Sequence, residues 1–131
     1  MEGSIHIGKT INHSFEVTED DLATFKGNNV HQVCSTFALA REIEWCTRQL
    51  ILQIKASDQE GVGTKLSINH RSPAFRGNTV LIAAVVKTFE KNELICSFQA
   101  TVEKRLVADG FTGQKLLLKS RIKEIFSTFE R

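Results

Sequence analysis

Ile5, Ile7, Ile11, Phe15 and Val17 share one parity along the start of the chain, interrupted by Lys9 and His13. That period of two predicts a first strand with one buried face. Thr18-Glu19-Asp20-Asp21 then reads as a capped turn, and Lys26-Gly27-Asn28-Asn29 as a loop. From Cys34 to about Lys55 there is neither Gly nor Pro, and the period changes. Val33, Phe37, Ala40, Ile43, Thr47, Leu50 and Ile54 recur at helical spacing, with Leu39, Cys46 and Ile51 widening the stripe. The spacing predicts one long, largely buried helix of roughly 18 to 20 residues, with Ser35 or Thr36 as its N-cap.

Beyond the helix the period of two returns. Val62, Thr64, Leu66, Ile68 and His70 share one face of a strand, while Lys65, Ser67, Asn69 and Arg71 take the other. Thr79 to Phe89 is apolar on both faces and ends at a tight turn, Glu90-Lys91-Asn92. Leu94, Cys96, Phe98, Ala100 and Val102 alternate again, and a last strand covers about Phe111 to Leu118. Ser120 is placed to cap a terminal helix with Ile122, Ile125, Phe126 and Phe129 along one side. Strand, long helix, then four hairpin-linked strands make an α+β domain whose helix lies on one face of an antiparallel sheet. One central helix wrapped by five such strands is the hotdog arrangement, here expected as a single domain over residues 1–131.

Composition narrows the function classes. With 41% apolar and 24% charged residues in 131, a packed core is available and disorder is not expected. The balance of 17 basic against 15 acidic residues, without a basic stripe interleaved with aromatics, argues against a nucleic-acid binder. It leaves room for a local basic patch on an anionic ligand. Cys34, Cys46 and Cys96 are odd in number and lack CxxC spacing, so all three are expected as small core hydrophobes in a reduced compartment. The start Met1-Glu2-Gly3-Ser4-Ile5-His6 lacks the basic and apolar regions of a secretory leader, and no apolar run reaches the ~18 residues that span a bilayer. A cytoplasmic protein without membrane or nucleic-acid partners is the expectation.

Three residues could carry chemistry. His70 shares its parity with Leu66 and Ile68, so its imidazole is expected to point at the helix, either as a general base or as a core histidine bonded to a carbonyl. Glu44 lies mid-helix among apolar neighbours, with Arg41 and Glu42 on the solvent side. It is either a carboxylate held near the sheet or a surface partner of Arg48 at i+4. Thr36 opens the helix, as a cap or as a hydroxyl at the positive end of the dipole. Thr36 and Glu44 are eight residues apart, about 12 Å along the axis, too far to touch on one straight helix. A strand histidine between them, or complementation across a dimer, would close the gap. His6, His13 and His31 show no metal-ligand spacing, so no metal site is expected. Nor is there a GxGxxG, Walker or GxSxG motif.

The register of these residues resembles the fluoroacetyl-CoA-specific thioesterase family of the hotdog superfamily. Ile7 to Phe15 is similar to that family's first strand. Thr36 and Glu44-Trp45 match its helix spacing, and Gly63-Thr64, His70, Pro73 and Gly77 match its Gly-Thr, histidine and glycine-containing loop. At the positions where the family carries bulky lid phenylalanines this chain has Gly27 and Val30, with Phe25 nearby. The resemblance implies hydrolysis of an acyl-CoA to free acid and coenzyme A, with no separate cofactor. His70 would be the base, Glu44 would orient it, and Thr36 would be the nucleophile or the hydroxyl that positions water and carbonyl. Gly63, Thr64, Arg71, Arg76 and Gly77 would contact substrate, with Lys65 and Lys87 available to the same phosphate rim. An acyl-CoA-binding module without turnover and an enoyl-CoA hydratase share this pocket and remain alternatives. A homodimer or dimer of dimers is expected, because the doubly apolar Thr79–Phe89 strand suggests an edge that pairs with another chain.

Overall fold

The computed structural model describes residues 5–130; Met1–Ser4, read above for a leader, lie outside it. Ser35 caps the helix α1 (Thr36–Ile54), its Oγ accepting from the Ala38 amide at 2.9 Å. Five strands wrap this helix: β1 (Thr10–Glu16), β4 (Gln59–His70), β5 (Thr79–Glu90), β6 (Glu93–Val102) and β7 (Arg105–Leu118), in the antiparallel order β1-β5-β6-β7-β4. A hairpin, β2 (Leu22–Phe25) and β3 (Asn28–Cys34), stands apart as a two-stranded sheet, and α2 (Lys119–Phe129) follows β7 directly. This is the hotdog architecture. No helix of the described residues is long and apolar enough to cross a membrane.

The core fills the space between α1 and the inner face of the sheet. Leu39, Ile43, Cys46, Leu50 and Ile51 meet Val80, Ile82, Ala84 and Val86 of β5 and Leu94, Cys96 and Phe98 of β6. Cys34, Cys46 and Cys96 are all buried and unpaired, and burial pushes each thiol up to about 11, as small hydrophobes would show.

Several expectations give way to local chemistry. Gly8, at φ +93°, turns the chain ahead of β1, so Ile5 and Ile7 are not in the strand. The Lys26–Gly27 loop is the turn of the β2–β3 hairpin, which a four-residue β2 and a mostly polar, exposed β3 had hidden. Phe37 points out at 80% exposure, and the buried stripe of α1 runs through Ala38 and Leu39 instead. Glu103, at φ +57°, joins β6 to β7, so the last strand starts at Arg105 rather than near Phe111. Leu118, not Ser120, precedes α2, and no side chain caps that helix.

Two corrections bear on the site. The β4–β7 register slips between Gly63 and Lys65. A Cβ on Gly61 would meet Ile51 of α1 at 2.9 Å, and one on Gly63 would meet Glu44 at 3.4 Å. Gly61 and Gly63 therefore face the helix ahead of the slip, where Val62 and Thr64 were expected. Strand β5, expected as a pairing edge, lies between β1 and β6. Its outer-face Leu81 is exposed and Ala83 and Val85 are half-buried. The sheet's open edges are β1 and β4.

Candidate active site

Because Ser35 takes the capping role, the Thr36 hydroxyl is free for other work at the first position of the helix. It lies 2.9 Å from Nδ1 of His70, which stands at the end of β4. Desolvation pulls the His70 pKa below the usual imidazole value, and a backbone hydrogen bond at Ser72 partly opposes it. The ring is thus neutral near pH 7, and the Thr36 hydroxyl donates to Nδ1 when Nε2 carries the proton. His70 is nonetheless exposed at the mouth of a cavity rather than enclosed in the core.

That cavity, about 650 Å³, opens at the N-terminus of α1 beneath the β2–β3 hairpin. Phe25, Val33 and Phe37 supply apolar wall beside Thr36 and His70. Phe25 and Phe37 are 67% and 80% exposed, a large apolar surface at the entrance for a lone chain to leave in water. The helix start is pinned from both sides. The Ser35 amide donates to the Asp21 carbonyl at 2.8 Å, and the Cys34 amide to the Ala74 carbonyl at 2.7 Å. First-turn amides of α1 have no intrahelical acceptor and point toward this end.

Glu44 is not with them. It is exposed on α1 beside a second cavity of about 310 Å³, whose wall includes Gly63 of β4 and Thr112 and Gln114 of β7. Of the two alternatives for Glu44, the surface pair with Arg48 does not form, because Arg48 donates to Glu60 at 2.6 Å. Nor does Glu44 orient His70 within one chain. The acid–imidazole pair that does form is Glu42 with His13, at 2.8 Å. Arg41 bridges the same Glu42 at 3.0 Å and buried Asp21 at 2.7 Å. Glu42, expected in solvent, is therefore half-buried against β1.

The remaining residues divide. Gly63 adjoins Glu44, its missing side chain leaving space at the carboxylate. Thr64, turned away by the bulge, donates to Glu93 at 2.7 Å. Arg71 donates to Asp109 at 2.9 Å on the outer face of the sheet, and Arg76 to Glu19 at 2.6 Å. Gly77, at φ +91°, lets the loop after β4 turn so that its amide donates to Val17. Lys65 and Lys87 are exposed. The basic residues do not converge into one phosphate rim within the chain. Thr112 and Gln114 went unread in the sequence, although both share the parity of Leu116 and so stand polar on a core face.

Comparison with known proteins follows this geometry. The family model described as fluoroacetyl-CoA-specific thioesterase matches residues 17–120. A Thermus thermophilus hypothetical protein of the thioesterase superfamily superposes with a TM-score of 0.89 at 25% identity, over 95% of this chain and 93% of its own. The fluoroacetyl-CoA thioesterase FlK superposes at 0.88 and 14% identity, over 98% of this chain and 100% of its own. A hot-dog-like protein from Thermanaerovibrio acidaminovorans gives 0.83 at 19% identity, over 95% and 93%. No curated protein matches the sequence significantly.

Proposed function

This chain belongs to the fluoroacetyl-CoA-specific thioesterase family and is a thioester hydrolase, and from that premise we propose that it hydrolyses short acyl-CoAs at a site shared by two protomers. The observation that carries the reading is the Thr36–His70 contact of 2.9 Å, made by a hydroxyl that capping does not consume. Neutral His70 takes a proton from Thr36 or from a water that Thr36 positions, and the attacking oxygen adds to the thioester carbonyl. First-turn amides of α1 stabilise the oxyanion, helped by the positive end of the helix dipole. The tetrahedral adduct collapses with loss of the coenzyme A thiolate, which takes the proton back from His70. Where Thr36 has attacked, a water activated by His70 then hydrolyses the acyl-Thr36 ester to free acid. Coenzyme A enters only as part of the substrate, and these steps call for no separate cofactor.

Glu44 joins this chemistry through a homodimer. Strand β4 is a 12-residue open edge, the kind of surface that recruits another strand. A two-fold antiparallel pairing centred between Leu66 and Ser67 sets Gly63 of one protomer opposite His70 of the other. The Glu44–Gly63 corner then approaches the Thr36–His70 pair across the seam, removing the ~12 Å separation along one helix. The exposed Phe25 and Phe37 line the same cavity as His70 at the end of β4, so a partner strand there would bring cover close to them. Arg71, Arg76, Lys65 and Lys87 remain the candidates for the coenzyme A phosphates, since exposed ion pairs such as Arg76–Glu19 are weak enough to exchange for phosphate. A cytoplasmic setting is supported by three free, buried thiols.

Thiol release from a panel of short acyl-CoAs, with light scattering on the same sample, tests this. Catalytic release of coenzyme A by a dimer or dimer of dimers is expected. An active monomer, or a dimer that binds acyl-CoA without turnover, would overturn it.

A further inference from the structure

The cavity of about 650 Å³ at the start of α1 offers more room than the Thr36–His70 pair needs. An irregular hairpin shapes it. Leu22 pairs with Cys34 and Thr24 with Asn29, so residues 30–33 of β3 stand against Ala23 alone. Unequal runs of this kind bulge out of the ladder. The base of the hairpin is nonetheless tied down through the Cys34 and Ser35 amides, so the space beneath it is preformed. Cavities that take small ligands are mostly apolar, with a few placed polar groups. This one conforms. Half-buried Val33 and exposed Phe25 and Phe37 line it, while Thr36 and His70 stand together in its wall. Asp20 is the carboxylate of the lining, and among the described residues no lysine or arginine joins it there.

Resting on the proposed thioesterase reading, we infer that this cavity takes the acyl group and selects short, uncharged hydrocarbon chains larger than acetyl. With the thioester carbonyl at Thr36 and His70, the acyl tail runs under the hairpin onto Val33 and the two phenylalanines. Each carbon buried there tightens binding by about fourfold. An acetyl group ends before it covers this wall. A chain ending in a carboxylate meets Asp20 and finds no lysine or arginine to replace the water it gives up, so it is rejected. The size of the cavity and the sign of its charge thus act together on the choice of acyl group.

Isovaleryl and malonyl groups share one branched outline, isopropyl against carboxylate, so they separate charge from shape; acetyl is the size control. The experiment titrates the dimeric protein, by calorimetry at pH 8, with hydrolysis-resistant amide analogues of the three coenzyme A thioesters, nitrogen replacing the sulfur. The isovaleryl analogue should bind at least roughly tenfold tighter than either of the others. Val33→Thr keeps volume and β-branching, and Phe25→Ala removes an exposed ring, so both variants should fold. Each should cut the preference for isovaleryl over acetyl by roughly threefold or more. Equal binding of isovaleryl and acetyl, tighter binding of malonyl, no binding of any analogue, or a preference that survives both substitutions would each overturn the inference. Thioester hydrolysis is measured separately. Selective amide binding without turnover would refute the catalytic reading and leave the subsite standing, whereas turnover without selectivity would do the reverse.

Discussion

Gly61 and Gly63 lie two residues apart on β4 and face the same helix, yet substitution by Ala should affect different properties. A Cβ on Gly61 falls 2.9 Å from Ile51 Cγ2, inside contact distance and against a fully buried side chain. Overpacking of this kind costs about 1–3 kcal/mol. Restricting the unfolded chain returns about 0.4–1 kcal/mol. The net loss is therefore about 0–2.6 kcal/mol, centred at about 1.3 kcal/mol, which for a domain of this length lowers Tm by roughly 5 °C and at most about 10 °C. A Cβ on Gly63 would instead sit 3.4 Å from the Glu44 carboxylate, an ordinary contact, so Tm should hold or rise slightly. It would crowd the space the substrate needs beside Glu44, and displacement near 1 Å at a reaction centre costs up to about 100-fold. Calorimetry and thiol-release kinetics on both variants make the comparison. Gly61→Ala should be less stable but active, and Gly63→Ala stable but impaired. If Gly63→Ala turns over like wild type, the Glu44 corner is not at the reaction centre; if Gly61→Ala melts like wild type, α1 does not press on β4 there.

Other outcomes follow from single contacts. Ser35→Ala removes the cap of α1 and should lower stability by about 1 kcal/mol in denaturant titration, whereas a Thr36→Val variant should keep stability and lose turnover. His70→Ala should remain folded by circular dichroism with hydrolysis reduced about 100-fold or more. Because desolvation lowers the His70 pKa from 6.5, kcat/KM should climb with pH through a midpoint below 6.5 and then level off. The linked stability has the same sign. The unfolded chain binds the proton more readily, so acidification from 6.5 down through the lowered folded-state pKa should weaken the fold, a slope that His70→Ala should flatten.

Much of this was legible in the sequence because the physics involved is periodic. A run free of Gly and Pro with apolar residues every third or fourth position can only be a long buried helix, and α1 spans Thr36–Ile54. The alternation in β5 and β6 likewise marks the inner face of the sheet. What periodicity cannot register is a change of phase. The slip at Thr64 moves Gly61 and Gly63 onto the helix face, and the two glycines beside it are the one signal of a bulge, in a run that reads as ordinary strand and turn positions. A strand apolar on both sides looks like an edge that seeks a partner, but β5 is central and its outer face is only half covered. Glu42 and Glu44 differ by about 200° around the helix, and sequence alone did not show that His13 would draw Glu42 inward. Thr36 and His70 were legible as partners because each is polar at an otherwise structural position.

The central claim, a thioesterase site completed by a second protomer, is tested by mixing two inactive variants. His70→Ala and Glu44→Gln should each be nearly inert as homodimers. Random pairing into two-fold dimers leaves half the mixed population heterodimeric, each with one intact site and one doubly damaged site. After unfolding and refolding together at equal amounts, short acyl-CoA hydrolysis should recover to roughly a quarter of the wild-type rate. Recovery to that level is the predicted result; a refolded, dimeric mixture no more active than its parents would contradict the shared site.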